Sequence, residues 1–426
     1  MSMISYFAEA RSRLMKTCVQ CLAAVGCLAA ATGCAGARQC ERTTAGAACD
    51  VFPFVCQVLE PYDLRPDLSQ LVEAPERGAS EYCRLGEGDV ACLAAYHSAL
   101  GNLWSREGYR AACQDDGCGG ETEAALSRVL GITAIHARNE DAAAAAELFL
   151  RLVAAESGAR SLERGIAEYD ELLEELHRRE AAGMVTGVSR LETEQQQLDV
   201  RYRHAELQTT VYRLNAQLAA MLHIDLPPST RFWPECDLTV WPDVPTAEDA
   251  VLFALATRAD VAAARQACQE CAAGRTAAAE WMVGQVTGVV PGLASGAGPR
   301  FVFSLRRRPD TSGSLCEQLS FVVAQRERSA RQETLQAVEN LTARLIQVDL
   351  RRKKLALAQQ RLQSLSEQQE LTAAMAFQVR KARLDLLTVE QELLQEVVEW
   401  KVAGVQLKRA QGLLALECGY DARCVP

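Results

Sequence analysis

Aromatic side chains are scarce in this chain of 426 residues, at 6% of the total, although hydrophobic residues make up 49%. The apolar content is therefore carried by small and aliphatic side chains, which excludes a core built around large rings. Proline is missing from two long stretches, residues 76–226 and 310–425. Because proline breaks helices, and because both stretches are rich in Ala, Leu, Gln, Glu and Arg, we expect them to be helical.

Positive charge is in deficit, since 45 Lys and Arg residues stand against 55 Asp and Glu residues and give a net charge of -10. A nucleic-acid partner is therefore not expected, because phosphate binding needs a basic surface. The one tight basic cluster is Arg306–Arg308. It fits a solvated loop tip better than a contact with anionic lipid headgroups.

The motifs of catalytic and metal sites are also missing. The five histidines, at positions 97, 136, 177, 204 and 223, do not form an HExxH pattern, and neither GxSxG nor a P-loop occurs. An enzyme needs residues that converge on one site, and no such set can be read here. We therefore predict a protein that is not an enzyme, with no catalytic residue, no metal site and no bound cofactor.

The first 34 residues have the pattern of an export signal. Basic residues at 11, 13 and 16 precede the apolar run Cys18–Gly33, which is too short to cross a bilayer comfortably. The start of the protein is either Met1 or Met15. The alternative interpretation, a buried Ala-rich helix, does not account for three basic residues before the run and none within it.

The apolar run ends in Ala31-Thr32-Gly33-Cys34, which resembles a bacterial lipobox. In such a sequence the cysteine is lipidated and becomes the mature N-terminus. Ala31 stands where a leucine is usual, and Cys27 is a second candidate. We predict a lipid anchor at Cys34 and a location at the outer membrane, facing the periplasm.

Seventeen cysteines fit an exported protein. Seven of them lie in a segment that we expect to be rich in loops and stabilised by disulfides, with a connectivity that the sequence leaves open; they are Cys40, Cys49, Cys56, Cys83, Cys92, Cys113 and Cys118. Cys268 and Cys271 form a CxxC in a helical run. A local disulfide or two half-buried thiols are favoured there over a zinc or redox site.

Composition changes divide the chain into segments. Helical patterns cover residues 121–156 and 160–224, and a proline-rich link follows at 227–245. Thr246 has the position of an N-cap for a helix that can reach Met282. β-prone runs occur at Phe301–Leu305 and Leu319–Val323. The predicted domains are a signal (1–34), a Cys-rich segment (35–120), helical repeat 1 (121–226), the linker (227–245), helical repeat 2 (246–421) with possible short strands at 300–325, and a tail (422–426).

An internal repeat relates the two helical stretches at an offset of 196 residues. From Val188 to Ala219, semi-apolar residues recur at alternating steps of three and four, and the same steps recur from Leu384 to Ala415. This period of 3.5 residues is the signature of a coiled coil. The antiparallel mate of the second copy is expected at residues 331–375. The predicted fold class is mainly α, with long antiparallel coiled-coil hairpins in two pseudo-repeats and at most a small β portion.

Three segments resemble the outer-membrane efflux (TolC-like) family: Ala182–Glu194 and Ala382–Gln391, which are similar to its hairpin tips, and Thr246–Gln269, which is similar to the helix that opens each of its repeats. The resemblance covers about residues 160–421 and indicates a divergent member. It implies a homotrimer whose helices form a periplasmic tunnel, capped by a 12-stranded outer-membrane β-barrel with four strands from each protomer. The chain offers few segments for such strands, so we expect the barrel part to be reduced.

The resemblance also implies that the hairpin tips dock a periplasmic adaptor, which in turn joins an inner-membrane pump. The residues that match the tips are Gly183, Thr186, Val188, Ser189 and Leu191 in the first copy, and Ala382, Leu384, Asp385 and Leu387 in the second. In the second copy, Val379 and Ala382 occupy the places of the turn-forming Gly and Ser/Thr. One continuous helix over 330–418 is therefore the alternative to the hairpin that we predict.

Two functions from different classes follow from these features. The first is a component of a tripartite export system, in which the helical tunnel conducts small molecules across the periplasm. The second is an exported periplasmic coiled-coil scaffold that has kept the hairpins and lost the membrane barrel. The repeat, the tip motif and the export signal together favour the first.

Overall fold

The computed structural model describes residues 62–63, 82–113, 120–183, 189–227, 230–286, 311–369 and 376–422, and these are mostly helical. They belong to one unit within residues 58–426. The helices are α1 (Glu87–His97), α2 (Ala99–Cys113), α3 (Glu121–Ala181), α4 (Arg190–Leu222), α5 (Ala247–Thr257), α6 (Ala259–Ala272), α7 (Ala277–Val286), α8 (Thr311–Gln369), α9 (Ala376–Gln411) and α10 (Leu413–Glu417). The strands are β1 (Tyr62–Asp63), β2 (Tyr82–Gly86), β3 (Arg231–Glu235) and β4 (Thr239–Val240). The predicted signal, Cys34 and Arg306–Arg308 lie outside the described residues.

Helices α3 and α4 form the first antiparallel hairpin. Asp170 of α3 accepts hydrogen bonds from the Gln197 amide at 2.5 Å and from the Arg201 guanidinium at 3.0 Å. Further from the tip, Glu163 lies 3.2 Å from the His204 ring. Residue numbers thus fall along α3 as they rise along α4, which shows that the two helices are antiparallel.

Helices α8 and α9 form the second antiparallel hairpin. Its ion pairs join Arg361 to Asp385 at 3.6 Å and Arg351 to Glu392 at 2.5 Å. Between the helices, Val348 and Leu355 pack with Val389, Leu393 and Val397 in one buried cluster. The hairpin is therefore confirmed, and the alternative of one continuous helix over 330–418 is wrong.

The second reversal does not lie where the sequence placed it. Val379 and Ala382, the expected turn positions, are inside α9 and are only 2% and 3% exposed. Neither residue favours a turn, and both are packed, so nothing interrupts the helix there. Helix α8 ends at Gln369 and α9 begins at Ala376, before both of these positions.

The second hairpin follows the first at an offset of 189 residues in the sequence, when the C-terminal ends of α4 and α9 are compared. Helix α4 ends at Leu222 and α9 at Gln411, and the next residues, His223 and Gly412, are both left-handed with φ of 53° and 72°. The predicted offset of 196 residues is one heptad too long. A heptad pattern looks the same after a shift of seven, so the repeat was found but its exact offset could not be read from it.

The duplication extends to the short helices. Helix α1 and helix α5 have 11 residues each, and one non-helical residue, Ser98 or Arg258, separates each from the next helix. The expectation of a segment rich in loops over 35–120 is thus wrong for residues 82–113, most of which are helical. Val90, Ala91, Ala94 and Ala95 are buried at helical spacing, and their small side chains gave only a weak pattern.

The segment after the linker is divided into three helices. Thr246 caps α5 as predicted, since its hydroxyl accepts a hydrogen bond from the Asp249 backbone N–H at 3.2 Å. The expectation of one helix to Met282 is wrong, because the chain is extended at Arg258 and left-handed at Gly274. Both conformations interrupt the helical hydrogen bonds.

The prediction of a possible short strand at Leu319–Val323 is also wrong, because these residues lie within α8. Leu319 and Val322 are buried three residues apart, while Phe321 is 64% exposed, which is the pattern of a helix with one buried face. Short apolar runs fit a strand and a helix equally well. The other β-prone run, Phe301–Leu305, lies outside the described residues.

Among the residues that the structure describes, the β portion consists of two pairs of strands. Strands β2 and β3 are parallel, with Tyr82 opposite Arg231 and Gly86 opposite Glu235. Strands β1 and β4 are antiparallel. The first pair is anchored to α4, because Asn215 accepts a hydrogen bond from the Phe232 backbone N–H at 2.7 Å. The predicted fold class, mainly α with a small β portion, is confirmed.

Between described residues, two disulfides connect distant parts of the chain. Cys92 of α1 is bonded to Cys418, and Cys271 of α6 is bonded to Cys316 of α8. Cys271 therefore does not pair with Cys268, which is a half-buried thiol, so a local CxxC disulfide is wrong. Their α-carbons are one helical turn apart, whereas α8 brings Cys316 directly against α6.

Candidate functional site

The four long helices lie side by side in one layer, in the order α4, α3, α9, α8. Gly158 of α3 shows how closely they pack, because a β-carbon there would lie 2.9 Å from Leu207 of α4 and 3.3 Å from Gln391 of α9. Helix α3 is thus enclosed on both sides, and α4 and α8 form the outer edges of the layer.

An antiparallel contact between α3 and α9 joins the two hairpins. The Ser161 hydroxyl donates a hydrogen bond to the Leu387 carbonyl at 3.4 Å. Toward the tip, the Arg380 guanidinium lies 3.7 Å from the Glu168 carboxylate and also pairs with Glu171. We call this contact the α3–α9 joint. It holds the two hairpins in a fixed register.

The first tip is open to solvent where it is described. Gly183 follows α3 with φ of 72°, and a β-carbon there would meet no atom within 4 Å. Ser189 caps α4 by accepting a hydrogen bond from the Glu192 backbone N–H at 3.4 Å. Leu191 is 71% exposed. Thr186 and Val188 lie outside the described residues.

The second set of tip residues lies on the first turns of α9 and not on a loop. A groove of about 410 Å³ runs between α8 and α9 and is lined by Arg361, Leu357, Ala382 and Asp385. Leu384 and Leu387 are half-buried. Ala382 and Asp385 therefore share one groove, whereas no hydrogen bond or ion pair between described residues joins them to Gly183, Ser189 or Leu191.

At the opposite end of the layer, Arg258 is the centre of a buried polar cluster. Its guanidinium donates two hydrogen bonds to Asp260, both 2.9 Å long, and a third to Glu333 at 2.5 Å. A further hydrogen bond reaches the Ala410 carbonyl at 3.3 Å. The Thr257 hydroxyl donates to the Gln411 carbonyl at 2.6 Å. The break between α5 and α6 is thus tied to the end of α9.

The charges in this cluster stabilise one another. Burial favours the neutral form of Asp260, but the hydrogen bonds from Arg258 and the nearby His136 and Arg326 outweigh it and lower the pKa of Asp260. The pKa of Arg258 is raised despite its burial, because of Asp260 and Glu333. Sequence reasoning missed this cluster, although Thr257–Asp260 lies within the family-like segment 246–269.

A second buried acid lies near β3. The Arg231 guanidinium is 5.0 Å from the Tyr82 ring centre and 5.9 Å from that of Tyr212, and it donates to the Tyr82 hydroxyl at 2.6 Å. Glu156 lies 3.8 Å from it. Burial raises the pKa of Glu156, although Arg231 and Arg160 act against it. Arg231 lines an open groove of about 640 Å³ beside Tyr212 and His223.

In the part of the chain that the structure describes, no group of three His, Cys, Asp or Glu side chains is placed to hold a metal ion. No helix described there has the length and apolar character needed to cross a membrane.

No family model matches the sequence, and no curated protein matches it either. Solved structures do match. The Campylobacter jejuni CmeC outer membrane channel is 10% identical and has a TM-score of 0.56, over 80% of this chain and 91% of that one. A membrane protein from Pseudomonas aeruginosa is 13% identical with a TM-score of 0.53, over 80% of this chain and 97% of that one. CusC, whose structures concern folding and transmembrane channel formation, is 13% identical and has a TM-score of 0.50. The match covers 77% of this chain and 96% of that one.

The chain therefore has the fold of these outer-membrane channels over most of its length. The resemblance predicted from the tip and helix motifs is confirmed at the level of the fold. CmeC and CusC, the two similar proteins whose names or titles state a role, are channels and not enzymes.

Proposed function

We propose that this chain is an outer-membrane efflux component, a homotrimer whose long helices form a periplasmic tunnel for small molecules. It works with a periplasmic adaptor and an inner-membrane pump in a tripartite system. The observation that carries the proposal is the layer of two antiparallel hairpins, in a chain whose fold is similar to that of the CmeC outer membrane channel over 80% of this chain.

The burial pattern of the layer supports a tunnel wall. Helix α8 buries Leu341, Val348 and Leu355 every seven residues and exposes charged side chains such as Lys353 and Lys354 between them. A globular helix bundle instead covers each long helix on most of its sides. A layer one helix thick has two polar faces, as a wall between a water-filled tunnel and the periplasm requires.

Conductance tests this proposal. The purified full chain, reconstituted in planar lipid bilayers, is expected to give discrete conductance steps. Vesicle leakage of a small dye, with an entrapped large dextran as the control for bilayer rupture, gives a second readout. A chain that assembles and yet conducts nothing contradicts the tunnel and supports the periplasmic scaffold instead.

The proposed attachment to the membrane is a lipid at Cys34. The motif Ala31–Cys34 supports it. Metabolic labelling with a fatty acid in a bacterial host is expected to mark the wild-type chain and the Cys27→Ser variant, but not Cys34→Ser. Label retained in Cys34→Ser contradicts the proposal.

The proposed docking site for the adaptor consists of the two tip sets. Supporting it, Gly183 and Leu191 are open to solvent, and Ala382 and Asp385 line an accessible groove. A photo-reactive amino acid at Asp385, introduced in cells that make the whole export system, is expected to capture an exported partner. The same residue at Glu248, an exposed position on α5, is the control. Equal capture at both positions contradicts docking at the tips.

A further inference from the structure

Three cysteines come together where the end of α6 packs against the start of α8. Cys271 of α6 is bonded to Cys316 of α8, and Cys268, three residues before Cys271, is a thiol. All three pack in one apolar cluster, in which Cys271 is buried and the other two are half-buried. The disulfide therefore has a thiol as a close neighbour in the same helix.

Helix geometry places Cys268 and Cys271 on one face of α6. Residues three apart on a helix have their β-carbons about 5–6 Å from each other. Every Cα–Cβ bond is tilted toward the start of the helix, so the side chain of Cys271 leans over the turn that carries Cys268. Because a disulfide needs β-carbons about 3.5–4.5 Å apart, Cys271 has to move toward Cys268 by only about 1–2 Å to bond with it.

The position of Cys271 in its helix permits this movement. Helix α6 runs over Ala259–Ala272, so Cys271 is its second-last residue. Gly274, just beyond the end, is left-handed with φ of 83°, and a β-carbon there would meet no atom within 4 Å. The last turn of a helix frays more readily than its middle. The end of α6 thus has both the freedom and the space to adjust.

Burial favours an attack on this disulfide from inside the protein. Cys271 is 3% exposed, so a thiol in solution has poor access to its sulfur. Cys268 is already held in the same apolar cluster. A group held next to its reaction partner reacts much faster than the same group in solution. Cys268 is therefore the favoured nucleophile for the Cys271–Cys316 bond.

We propose that Cys268, Cys271 and Cys316 form a thiol–disulfide exchange site, in which Cys268 displaces Cys316 from Cys271. The Cys268 thiolate forms a sulfur–sulfur bond with Cys271 while the Cys271–Cys316 bond breaks. The electron pair of the broken bond stays on the Cys316 sulfur, which takes up the proton that Cys268 lost. One disulfide and one thiol are present before and after, so the step needs no oxidant or reductant.

The exchange releases the start of α8 and leaves the neighbouring contacts in place. Glu270 still holds α6 to α3, through a hydrogen bond of 2.8 Å from Arg128. Arg265 still holds α6 to α8, through an ion pair of 2.7 Å with Glu327. Glu327 lies eleven residues beyond Cys316, or about 16 Å along the helix. The part of α8 before Glu327 therefore loses its covalent tie, while the layer stays joined.

Peptide mapping of the full chain tests the exchange. One tryptic peptide, residues 266–275, holds both Cys268 and Cys271. The native chain is incubated at about pH 8.5, where thiolate is available as the nucleophile. Free thiols are then blocked with N-ethylmaleimide, and the chain is digested without reduction. Before exchange this peptide is linked to the peptide of Cys316. After exchange it is released with an internal disulfide, and Cys316 carries the label.

We expect the released peptide to increase with time, and to form more slowly at pH 6 because less thiolate is present. Cys268→Ser removes the nucleophile and is expected to give only the linked peptide. Cys83→Ser is the matched control, because Cys83 is another half-buried thiol and packs in a different apolar cluster. It is expected to release the peptide as the wild type does. The Cys92–Cys418 bond is expected to stay intact in the same digest, which shows that the exchange is local.

Three results overturn the exchange site. The first is a wild-type chain that keeps only the linked peptide, and the second is release of the peptide in Cys268→Ser. The third is a bond between Cys268 and Cys316, which would mean that the attacked sulfur is not that of Cys271.

Amide hydrogen exchange tests the release of the start of α8. Cys316→Ser lacks the tie, as the exchanged chain does, whereas Cys268→Ser keeps it. Residues 315–326 are expected to exchange about tenfold faster in Cys316→Ser than in Cys268→Ser, because local opening no longer has to carry α6 along. Residues 333–348 of the same helix are the internal reference and are expected to be unchanged. Equal exchange of 315–326 in both variants overturns the release.

The inference goes beyond the proposed function and needs only the folded chain. A chain that conducts and yields no released peptide overturns the exchange site alone. A chain that yields the released peptide and conducts nothing overturns the transport function alone.

Discussion

Arg258 and Asp260 form a buried, bidentate ion pair at the break between α5 and α6. Both hydrogen bonds are 2.9 Å long, and the two side chains are only 8% and 6% exposed. Only Ala259 separates the two residues in the sequence. The ion pair therefore stabilises the extended conformation of Arg258 that separates the two helices. Because Arg258 also binds Glu333 and the end of α9, this short segment connects three elements.

We expect Arg258→Ala to lower the free energy of unfolding by about 3–5 kcal/mol, because it leaves the Asp260 charge buried without its partner. Arg84→Ala, which removes an exposed pair with Glu235, is the control and is expected to change it by about 0–1 kcal/mol. Urea denaturation followed by circular dichroism measures both. Equal effects of the two variants would show that the Arg258 pair is not special.

The lowered pKa of Asp260 predicts how stability depends on pH. Its ordinary value is 3.8, and the folded value is lower. The contribution of Asp260 is therefore fully present above pH 3.8 and is lost as the pH falls through the folded pKa. The stability difference between the wild type and Asp260→Asn is expected to be constant near neutral pH and to shrink in acid. Denaturation curves at several pH values measure it, and a difference that grows in acid contradicts the assignment.

The raised pKa of Glu156 predicts that stability depends on pH in the opposite sense. Burial raises its pKa above the ordinary 4.5, so the fold prefers the neutral acid. The stability from this group is present below pH 4.5 and is lost as the pH rises through the folded pKa. Glu156→Gln is therefore expected to raise the denaturation midpoint at pH 7 and to leave it unchanged at pH 4. A lower midpoint at pH 7 would show that attraction to Arg231 outweighs burial.

The hairpins could be predicted from the sequence because heptads and missing prolines are strong, local signals. Their exact offset could not, since shifting a heptad pattern by seven residues leaves it unchanged. Helices α1 and α2 were missed because Ala91, Ala94 and Ala95 carry little hydrophobic contrast, although all three are buried. The run Leu319–Val323 fits a strand as well as a helix in sequence, because five residues are too few to show a period.

The candidate surfaces were predictable only in part. The motif identified Gly183 and Ser189 near a helix end, where the structure has them. It could not show that Leu384 and Asp385 follow eight residues of helix, 376–383, and not a turn. The Arg258 cluster depends on which faces the tertiary packing covers, and the pattern of a single helix does not contain that information.

The disulfide between Cys92 and Cys418 predicts a large effect of its removal. It joins two residues 326 positions apart and so restricts the unfolded chain strongly. The double variant Cys92→Ser/Cys418→Ser is expected to lose about 2–5 kcal/mol of stability. Cys268→Ser, at a half-buried free thiol, is the control and should change stability much less. Alkylation of the unreduced, denatured chain checks the pairing, because labelled Cys92 would contradict it.

Two glycines predict changes of opposite sign on substitution by alanine. A β-carbon at Gly165, inside α3, would lie 3.9 Å from Val200, which is an ordinary contact. Gly165→Ala is therefore expected to raise stability by about 0.5–1 kcal/mol, since it lowers the entropy of the unfolded chain. At Gly412, φ is 72°, and a β-carbon would lie 3.1 Å from the Arg258 α-carbon and 3.4 Å from the Thr257 carbonyl oxygen.

Backbone atoms cannot rotate away as side chains do, and the left-handed conformation is itself unfavourable for alanine. Gly412→Ala is therefore expected to lower stability by about 1–3 kcal/mol. Urea denaturation of both variants beside the wild type measures the two changes, and equal slopes show that the unfolded states are comparable. If Gly412→Ala were as stable as Gly165→Ala, the end of α9 would not be held against the α5–α6 break as the structure shows.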